Sequence, residues 1–375
     1  MAKRKVVQKR SLAAIRGFYK AVKAQTSHYD AKEVARLMEQ IDRKRVKSVS
    51  DSVANYIRIN VPLLLERKSK LADYRTNPYV LLATAQMREL TDAERFASFL
   101  FNNKLYMAME TSFGKSIESV LVGGYPLPSR STKWVNPPEK EAEFKTYAGL
   151  TNEEKAGRRT ASTWREIDRS CTVGNRRFLA SIKSGPNCIN DSQVDAMESA
   201  IKNNHARWLE QTRRTYPGVE CLDVVIGITY GTDRTTNNKE NQILVKLGRH
   251  GFIEEDRQNR PGVMIDKATG RVRVYRRIGR DFWSFIGNPG EPDTAKFVFL
   301  EILLALSRGL SNGLKKIEGE TFEAQINVKL AELTLALGKL MFPKNSLPTW
   351  IRDEVSPEEM VWMATAMTAF FDEGI

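Results

Sequence analysis

The order of apolar and polar residues predicts helices through the first third of the chain. Residues 10–48 and 50–65 repeat apolar side chains at the spacing of one helix face. Residues 91–122 do the same, and Thr91 and Glu94 stand where a capping box would begin that helix. The amino-terminal region is therefore predicted to be helical.

From about residue 160 the pattern changes to short runs of strand length. Trp164–Asp168 and Phe178–Lys183 are predicted strands joined by a turn around Asn175. The apolar run Asp223–Tyr230 has the length of a buried strand, and Arg271–Ile278 alternates as a strand does. Together these runs predict a mixed sheet.

Helices return within and after the strands. Residues 192–213 are predicted to form a helix capped by Ser192 with Asp195, and residues 294–342 and 357–371 carry further helical periodicity. The fold class is therefore α/β (α+β), with a mixed sheet flanked by helices. We expect three regions: a basic helical region, a core and a carboxyl-terminal helical region, at residues 1–90, 91–290 and 291–375.

The charge balance indicates a polyanionic partner. The 375 residues include 59 Lys and Arg against 45 Asp and Glu, a net charge of +14. The surplus is concentrated in residues 1–50, whose net charge is +10, whereas the last 25 residues carry −5. Nucleic acid is the commonest partner of so basic a chain. The basic amino end is either a DNA-binding arm or a solvated helix face.

Other features of the sequence limit the class of protein. Cys171, Cys188 and Cys221 are scattered, which argues against a disulfide framework and a zinc site. The amino end lacks the apolar core of a signal peptide, and the longest apolar run, Phe297–Leu306, is interrupted by Glu301. We expect a cytoplasmic protein that does not span a membrane.

Two charged residues at the ends of neighbouring predicted strands suggest the chemistry. Asp168 ends one predicted strand, and Lys183 ends the next, fifteen residues later. An antiparallel pair could bring them together at one end of the sheet. Carboxylates bind Mg²⁺ through hard oxygen ligands, and a lysine stabilises negative charge on a phosphate. The pair therefore suits metal-assisted phosphodiester hydrolysis.

A second carboxylate is expected from the helix that follows Lys183. With Val194 as origin, Glu198 falls at about 40° inside the apolar stripe and Asp195 at about 100°, outside it. A carboxylate directed at the sheet needs a cation or a metal. Glu198 is preferred, with Asp195 as the alternative.

The order of Asp168, a turn, a strand ending in Lys183 and the turn Ser184-Gly-Pro-Asn187 resembles the PD-(D/E)xK nucleases. It is most similar to type II restriction endonucleases that carry a KSGPN segment after the lysine. The resemblance covers roughly residues 110–290. It implies a Mg²⁺-dependent site in which Asp168 binds the metal and Lys183 is the catalytic cation.

Ser181 departs from that family pattern, which places an acid two residues before the lysine. Some restriction enzymes have a Ser-x-Lys strand and take the missing carboxylate from the next helix, which again points to Glu198.

The segment 113–121 resembles a supporting helix of the family and implies Glu118 as a further metal-site residue. Residues 279–289 resemble a segment that follows the core strands. If no helix carboxylate reaches the metal, the protein would bind DNA without cutting it.

Polar and basic loops are candidates for DNA contact, because Arg and Asn read base edges and Lys and Arg hold phosphates. The candidate residues are Arg158, Arg159, Arg234, Asn237, Asn238 and Lys239.

The expected function is that of a type II restriction endonuclease, a homodimer acting on double-stranded DNA with Mg²⁺. The alternatives are a repair or recombination nuclease, and a non-catalytic DNA-binding protein on a degenerate nuclease core.

Overall fold

The computed structural model describes residues 31–66, 74, 76–127, 132–255, 262–314, 322–338 and 348–370. Among these, the α-helices in chain order are α1 (Ala31–Met38), α2 (Arg43–Glu66), α3 (Pro78–Met87), α4 (Ala93–Ser116), α5 (Pro138–Lys145), α6 (Asn152–Ala161), α7 (Asp191–Thr215), α8 (Lys239–Leu247), α9 (Arg280–Gly287), α10 (Val298–Leu314), α11 (Phe322–Gly338), α12 (Thr349–Glu354) and α13 (Pro357–Met367). The strands are β1 (Arg169–Val173), β2 (Arg176–Lys183), β3 (Cys221–Ile228), β4 (Phe252–Glu254), β5 (Met264–Asp266) and β6 (Val272–Ile278).

The six strands form one mixed sheet in the order β1-β2-β3-β6-β5-β4. The strands β2, β3 and β6 are parallel, and β1 runs antiparallel to β2 at one side. The three parallel strands end in register at Lys183, Ile228 and Ile278. We call this side of the sheet the carboxyl edge. The predicted mixed α/β class is confirmed.

Helices cover both faces of the sheet, so most residues of β2 and β3 are buried. Leu179 and Val224 pack with α7 and α8 on one face, whereas Phe178 and Val225 pack with α2, α9 and α10 on the other. Because neighbouring residues of a strand point to opposite faces, β2 alternates between these two clusters. Ser181 and Lys183 lie on the same face as Leu179.

The predicted strand Trp164–Asp168 is wrong. These residues form a turn in which the Ile167 amide donates to the Trp164 carbonyl at 3.1 Å, and β1 begins only at Arg169. Trp164 and Ile167 are both buried beneath α7. Apolar side chains in a buried turn therefore produced the strand-like pattern.

The helix caps also differ from the prediction. Asp92, not Thr91, caps α4, since its Oδ1 accepts from the Arg95 amide at 2.7 Å. Helix α7 is capped by Asn190, whose Oδ1 accepts from the Gln193 amide at 2.9 Å. Asp195 consequently has no capping role.

Helices α2 and α10 pack closely because glycines remove the side chains between them. A Cβ on Gly309 would lie 2.6 Å from Val53 Cβ and 2.8 Å from the Ser50 carbonyl oxygen. A Cβ on Gly313 would lie 2.9 Å from Ile57 Cβ. The two backbones can approach this closely only without those methyl groups.

A buried carboxylate joins the same two helices. Glu301 of α10 is 1% exposed and accepts from Arg45 Nη2 at 2.9 Å and from the Tyr125 hydroxyl at 2.5 Å. By length and composition alone, Pro292–Leu314 could cross a membrane. In the fold, α10 lies along α2 and its Glu301 is paired with Arg45.

A third hydrophobic cluster joins α3, α4, α11 and α13 through residues that include Leu81, Phe96, Leu333 and Trp362. The clusters do not follow the expected divisions at residues 90 and 290, because α2 packs on the sheet side and α3 does not. The part of the predicted amino-terminal helix at residues 10–30 lies outside the described residues.

The α2–α10 contact leads to a stability prediction. We expect Gly309→Ala to lower the free energy of unfolding by about 1–3 kcal/mol, because the new methyl group overlaps α2. Gly114→Ala in α4 is the matched control, since a Cβ there meets no atom within 4 Å. It should gain about 0.5–1 kcal/mol from helix propensity. Denaturant unfolding followed by circular dichroism measures both. Equal effects of the two substitutions would contradict the packing explanation.

Candidate active site

Asp168 lies at the carboxyl edge, although it precedes β1 and does not end a strand. Since β1 is antiparallel to β2, the start of β1 lies beside the end of β2. The Asp168 amide donates to the Ala180 carbonyl at 2.9 Å, and Asp168 Oδ2 accepts from the Ile182 amide at 2.6 Å. The carboxylate is thereby fixed next to the last two residues of β2.

Lys183 is the last residue of β2, and its ammonium group faces a carboxylate that the sequence reasoning missed. Its Nζ lies 3.9 Å from Glu166 Oε2, and both side chains are largely buried. Glu166 belongs to the turn held by Trp164 and Ile167. Its position two residues before Asp168 could have indicated a second acid at the site. The prediction of a strand at Trp164–Asp168 obscured this.

Glu118 approaches the same place from the end of α4. It lies in a π-helical turn, Ile117–Val122, whose Glu118 carbonyl accepts from Arg169 Nε at 3.0 Å. π-turns within helices are frequent at functional sites. Burial raises the pKa of the Glu118 carboxyl, and the negative charge of Asp168 raises it further. The charges of Glu118 and Asp168 therefore act on each other.

Lys140 adds a second cation that the sequence reasoning did not identify. It lies in the first turn of α5, and its Nζ donates to the Ile167 carbonyl at 2.6 Å. Burial lowers its pKa, against the opposing effect of the Asp168 and Glu118 charges. Helix α5 is held by Glu139, whose carboxylate binds the buried Arg177 guanidinium through two 2.8 Å contacts.

Burial also raises the pKa of Asp168, the first cause of its shift. The hydrogen bond from the Ile182 amide and the charges of Lys183 and Lys140 oppose that effect, whereas Glu166 adds to it. Buried carboxylates with raised pKa values are common at functional sites. Burial disfavours their ionised form, and a nearby cation can compensate for that cost.

The preference for Glu198 as the second carboxylate is not supported by its position. Glu198 is buried as predicted, but it faces α8 and the short helix after it: His250 Nε2 lies 3.0 Å from Glu198 Oε1. Asp195 pairs with Lys246 of α8. Both acids are thus paired with groups on or just after α8. Glu198 as the metal-binding carboxylate, with Asp195 as the alternative, stays a prediction.

Ser181 stands two residues before Lys183, on the same face of β2. It is 0% exposed, and its hydroxyl has no hydrogen-bond partner among the described residues. A buried unpaired hydroxyl is unfavourable unless a further group satisfies it. Because Arg169 of β1 pairs with Ala180, Ser181 lies close to Asp168 at the start of β1.

The candidate DNA contacts fall into two sets. Arg158 and Arg159 lie exposed on α6, which is a helix and not the expected loop, and Arg234 is exposed in the loop after β3. By contrast, Asn237 Nδ2 donates to the Ile189 carbonyl at 2.8 Å, and Lys239 pairs with Asp191. Asn238 is exposed with a left-handed backbone at φ 60° before α8. Asn237 and Lys239 therefore hold the loop in place.

The carboxylates Asp168, Glu166 and Glu118 would offer only oxygen ligands, the kind that Mg²⁺ prefers. Among the described residues, no group of three or more His, Cys, Asp or Glu side chains lies close enough to bind one metal ion. A Mg²⁺ ion bound here would therefore depend on one or two carboxylates together with substrate phosphate and water, which is its common mode of binding.

No protein-family model matches the sequence, and no curated protein matches it.

The raised pKa of Asp168 gives a prediction with a definite sign. An acid whose folded pKa is raised costs stability once it ionises, so the cost is absent below about pH 4 and present near pH 7. We expect Asp168→Asn to raise Tm at pH 7 without divalent cations and to lose that advantage toward pH 4. Calorimetry across this pH range measures the effect.

Asp195→Asn is the matched control, because that carboxylate is exposed and pairs with Lys246. It should change stability by less than about 1 kcal/mol and without a gain at pH 7. A lower Tm for Asp168→Asn at pH 7 would show that the ionised carboxylate stabilises the metal-free protein, contrary to the prediction.

Proposed function

We propose that this protein is a Mg²⁺-dependent endonuclease of double-stranded DNA, of the type II restriction kind, that acts in the cytoplasm. The observation that carries the proposal is the placement of Asp168 against the end of β2, beside Lys183, by the hydrogen bond from the Ile182 amide. The resemblance to PD-(D/E)xK nucleases includes these two residues.

Asp168 would hold Mg²⁺ together with Glu166 or Glu118, in place of the helix carboxylate first expected. The raised pKa values of Asp168 and Glu118 support this assignment, since a bound cation would compensate their charges. When bound, Mg²⁺ would polarise the scissile phosphate and lower the pKa of a coordinated water.

The protein's own cations would act on the phosphate. Lys183 extends from the end of a rigid strand and would donate to a phosphate oxygen as negative charge develops there. Lys140 is anchored to the Ile167 carbonyl and would keep the Asp168 and Glu118 charges balanced. The buried Ser181 hydroxyl would support the adjacent acids.

The DNA would lie across the carboxyl edge, with Arg158 and Arg159 on one side and Arg234 on the other. Helix α6 buries none of its residues, so its basic end is open to a polyanion. We further propose a homodimer, because a palindromic duplex site matches a two-fold axis in the protein.

Cleavage assays test the site assignment. We expect Lys183→Ala and Asp168→Asn to reduce cleavage of phage DNA in Mg²⁺ by about 10²-fold or more, the usual cost of removing one preorganised charge. Glu166→Gln should impair cleavage as well, whereas Glu198→Gln should cut within a few-fold of wild type. The rates of fragment formation on gels measure this difference.

The same assay separates the alternatives. Discrete fragments support a restriction enzyme, and random degradation supports a repair or recombination nuclease with the same site. Ser181 in place of an acid favours a second candidate, a DNA-binding protein that does not cut. That candidate predicts tight binding of wild type with no cleavage in Mg²⁺ or Mn²⁺. Full activity of Lys183→Ala would contradict the site assignment itself.

The basic residues of α6 lead to a prediction about salt dependence. We expect the double variant Arg158→Ala, Arg159→Ala to bind DNA more weakly and to lower the slope of log K against log salt by about 2, one for each lost phosphate contact. Fluorescence anisotropy over a range of salt concentrations measures the slope. Lys239→Ala is the control, and it should lower stability while leaving the slope unchanged.

A further inference from the structure

Tyr230 occupies a defined place on the carboxyl edge, beside the end of β2. Ile228 pairs with Lys183, and the ladder continues through a hydrogen bond from the Thr229 amide to the Lys183 carbonyl at 3.0 Å. Tyr230 follows two residues beyond Ile228, in the bend that leaves β3. The side chain of Tyr230 is large, apolar for most of its surface, and 58% exposed.

The turn that follows Lys183 is shaped to receive this ring. A Cβ on Gly185 would lie 2.5 Å from the Tyr230 hydroxyl oxygen and 2.7 Å from Cζ. The turn and the end of β3 are also joined by the Thr229 hydroxyl, which donates to the Ser184 carbonyl at 2.8 Å. Glycine at position 185 therefore allows the phenol to lie over the turn, two residues from Lys183.

The backbone under Tyr230 is fixed from both directions. The Trp283 indole donates to the Thr229 carbonyl at 2.8 Å. After Gly231, the Thr232 amide donates to the Thr235 hydroxyl at 2.8 Å and starts a compact loop. The exposed phenol consequently stands on a rigid base, which limits the entropy that a contact with a ligand would cost.

We propose that Tyr230 contacts the DNA strand at the cleavage site, donating its hydroxyl to a phosphate oxygen next to the one held by Lys183. This inference rests on the function proposed above, because it requires DNA to lie on the carboxyl edge. It explains why an exposed aromatic side chain lies over the turn that follows Lys183. It also assigns a role to Gly185 of the Ser184–Asn187 turn, which makes room for the phenol.

Three substitutions test the proposal: Tyr230→Phe, Gly185→Ala and Gly218→Ala. Tyr230→Phe keeps the ring and removes only the donor, so it should weaken binding about tenfold, the effect of losing one hydrogen bond to a charged group. Gly185→Ala displaces the ring and should weaken binding at least as much. Gly218→Ala, at the opposite end of β3, meets no atom within 4 Å and should bind as wild type does.

Binding is measured by anisotropy in EDTA on a short duplex that carries a cleavage position mapped on phage DNA. Cleavage of the same duplex in Mg²⁺ should show the loss mainly in KM. The salt slope should stay unchanged, because a neutral donor releases no counterion, and this separates Tyr230 from the arginines of α6.

The outcomes distinguish this inference from the proposed function. If wild type neither binds nor cuts DNA, the proposed function fails and this inference fails with it. If wild type binds and cuts while Tyr230→Phe is indistinguishable from it, the function stands and the inference is overturned. Tyr230→Phe decides the matter even where Gly185→Ala does not fold.

Discussion

The register of β1 on β2 is the constraint on which the candidate site depends. The two strands are joined by Gly174, at φ 57°, and Asn175, so that Val173 pairs with Arg176 and every later pair follows. This register brings the Asp168 carboxylate to the Ile182 amide. A slip of one residue would turn each β1 side chain to the opposite face and remove the acid from Lys183.

Burial of charge explains how the other parts of the site are held. The Arg177 guanidinium is completely buried, and a buried charge without a partner is strongly destabilising. Glu139 satisfies it from α5, which fixes the helix that carries Lys140. The lysine next to the acidic group is thus positioned by an ion pair near the other end of β2, and the geometry of the site depends on contacts distant from it.

The sequence allowed the mixed sheet, β2 and the proximity of Asp168 to Lys183 to be predicted, since these follow from local pattern and short-range pairing. The carboxylate partner could not be predicted in the same way. A helical wheel shows that Glu198 faces inward but not which element it meets, and its neighbour His250 comes 52 residues later. Glu166 was missed because the buried turn around Trp164 has the apolar pattern of a strand.

The distribution of acids bears on whether such a site would only bind DNA. The acids at the candidate site are Asp168, Glu166 and Glu118, at the carboxyl edge across which the DNA is proposed to lie. The chain as a whole has a net charge of +14. Carboxylates repel phosphates, and burial makes their charges more costly still. A protein that served only to bind would hold DNA more tightly without them. In the proposed function, a divalent cation would offset their charge and reach the phosphate, so these acids beside Lys183 favour the proposal of cleavage over that of binding alone.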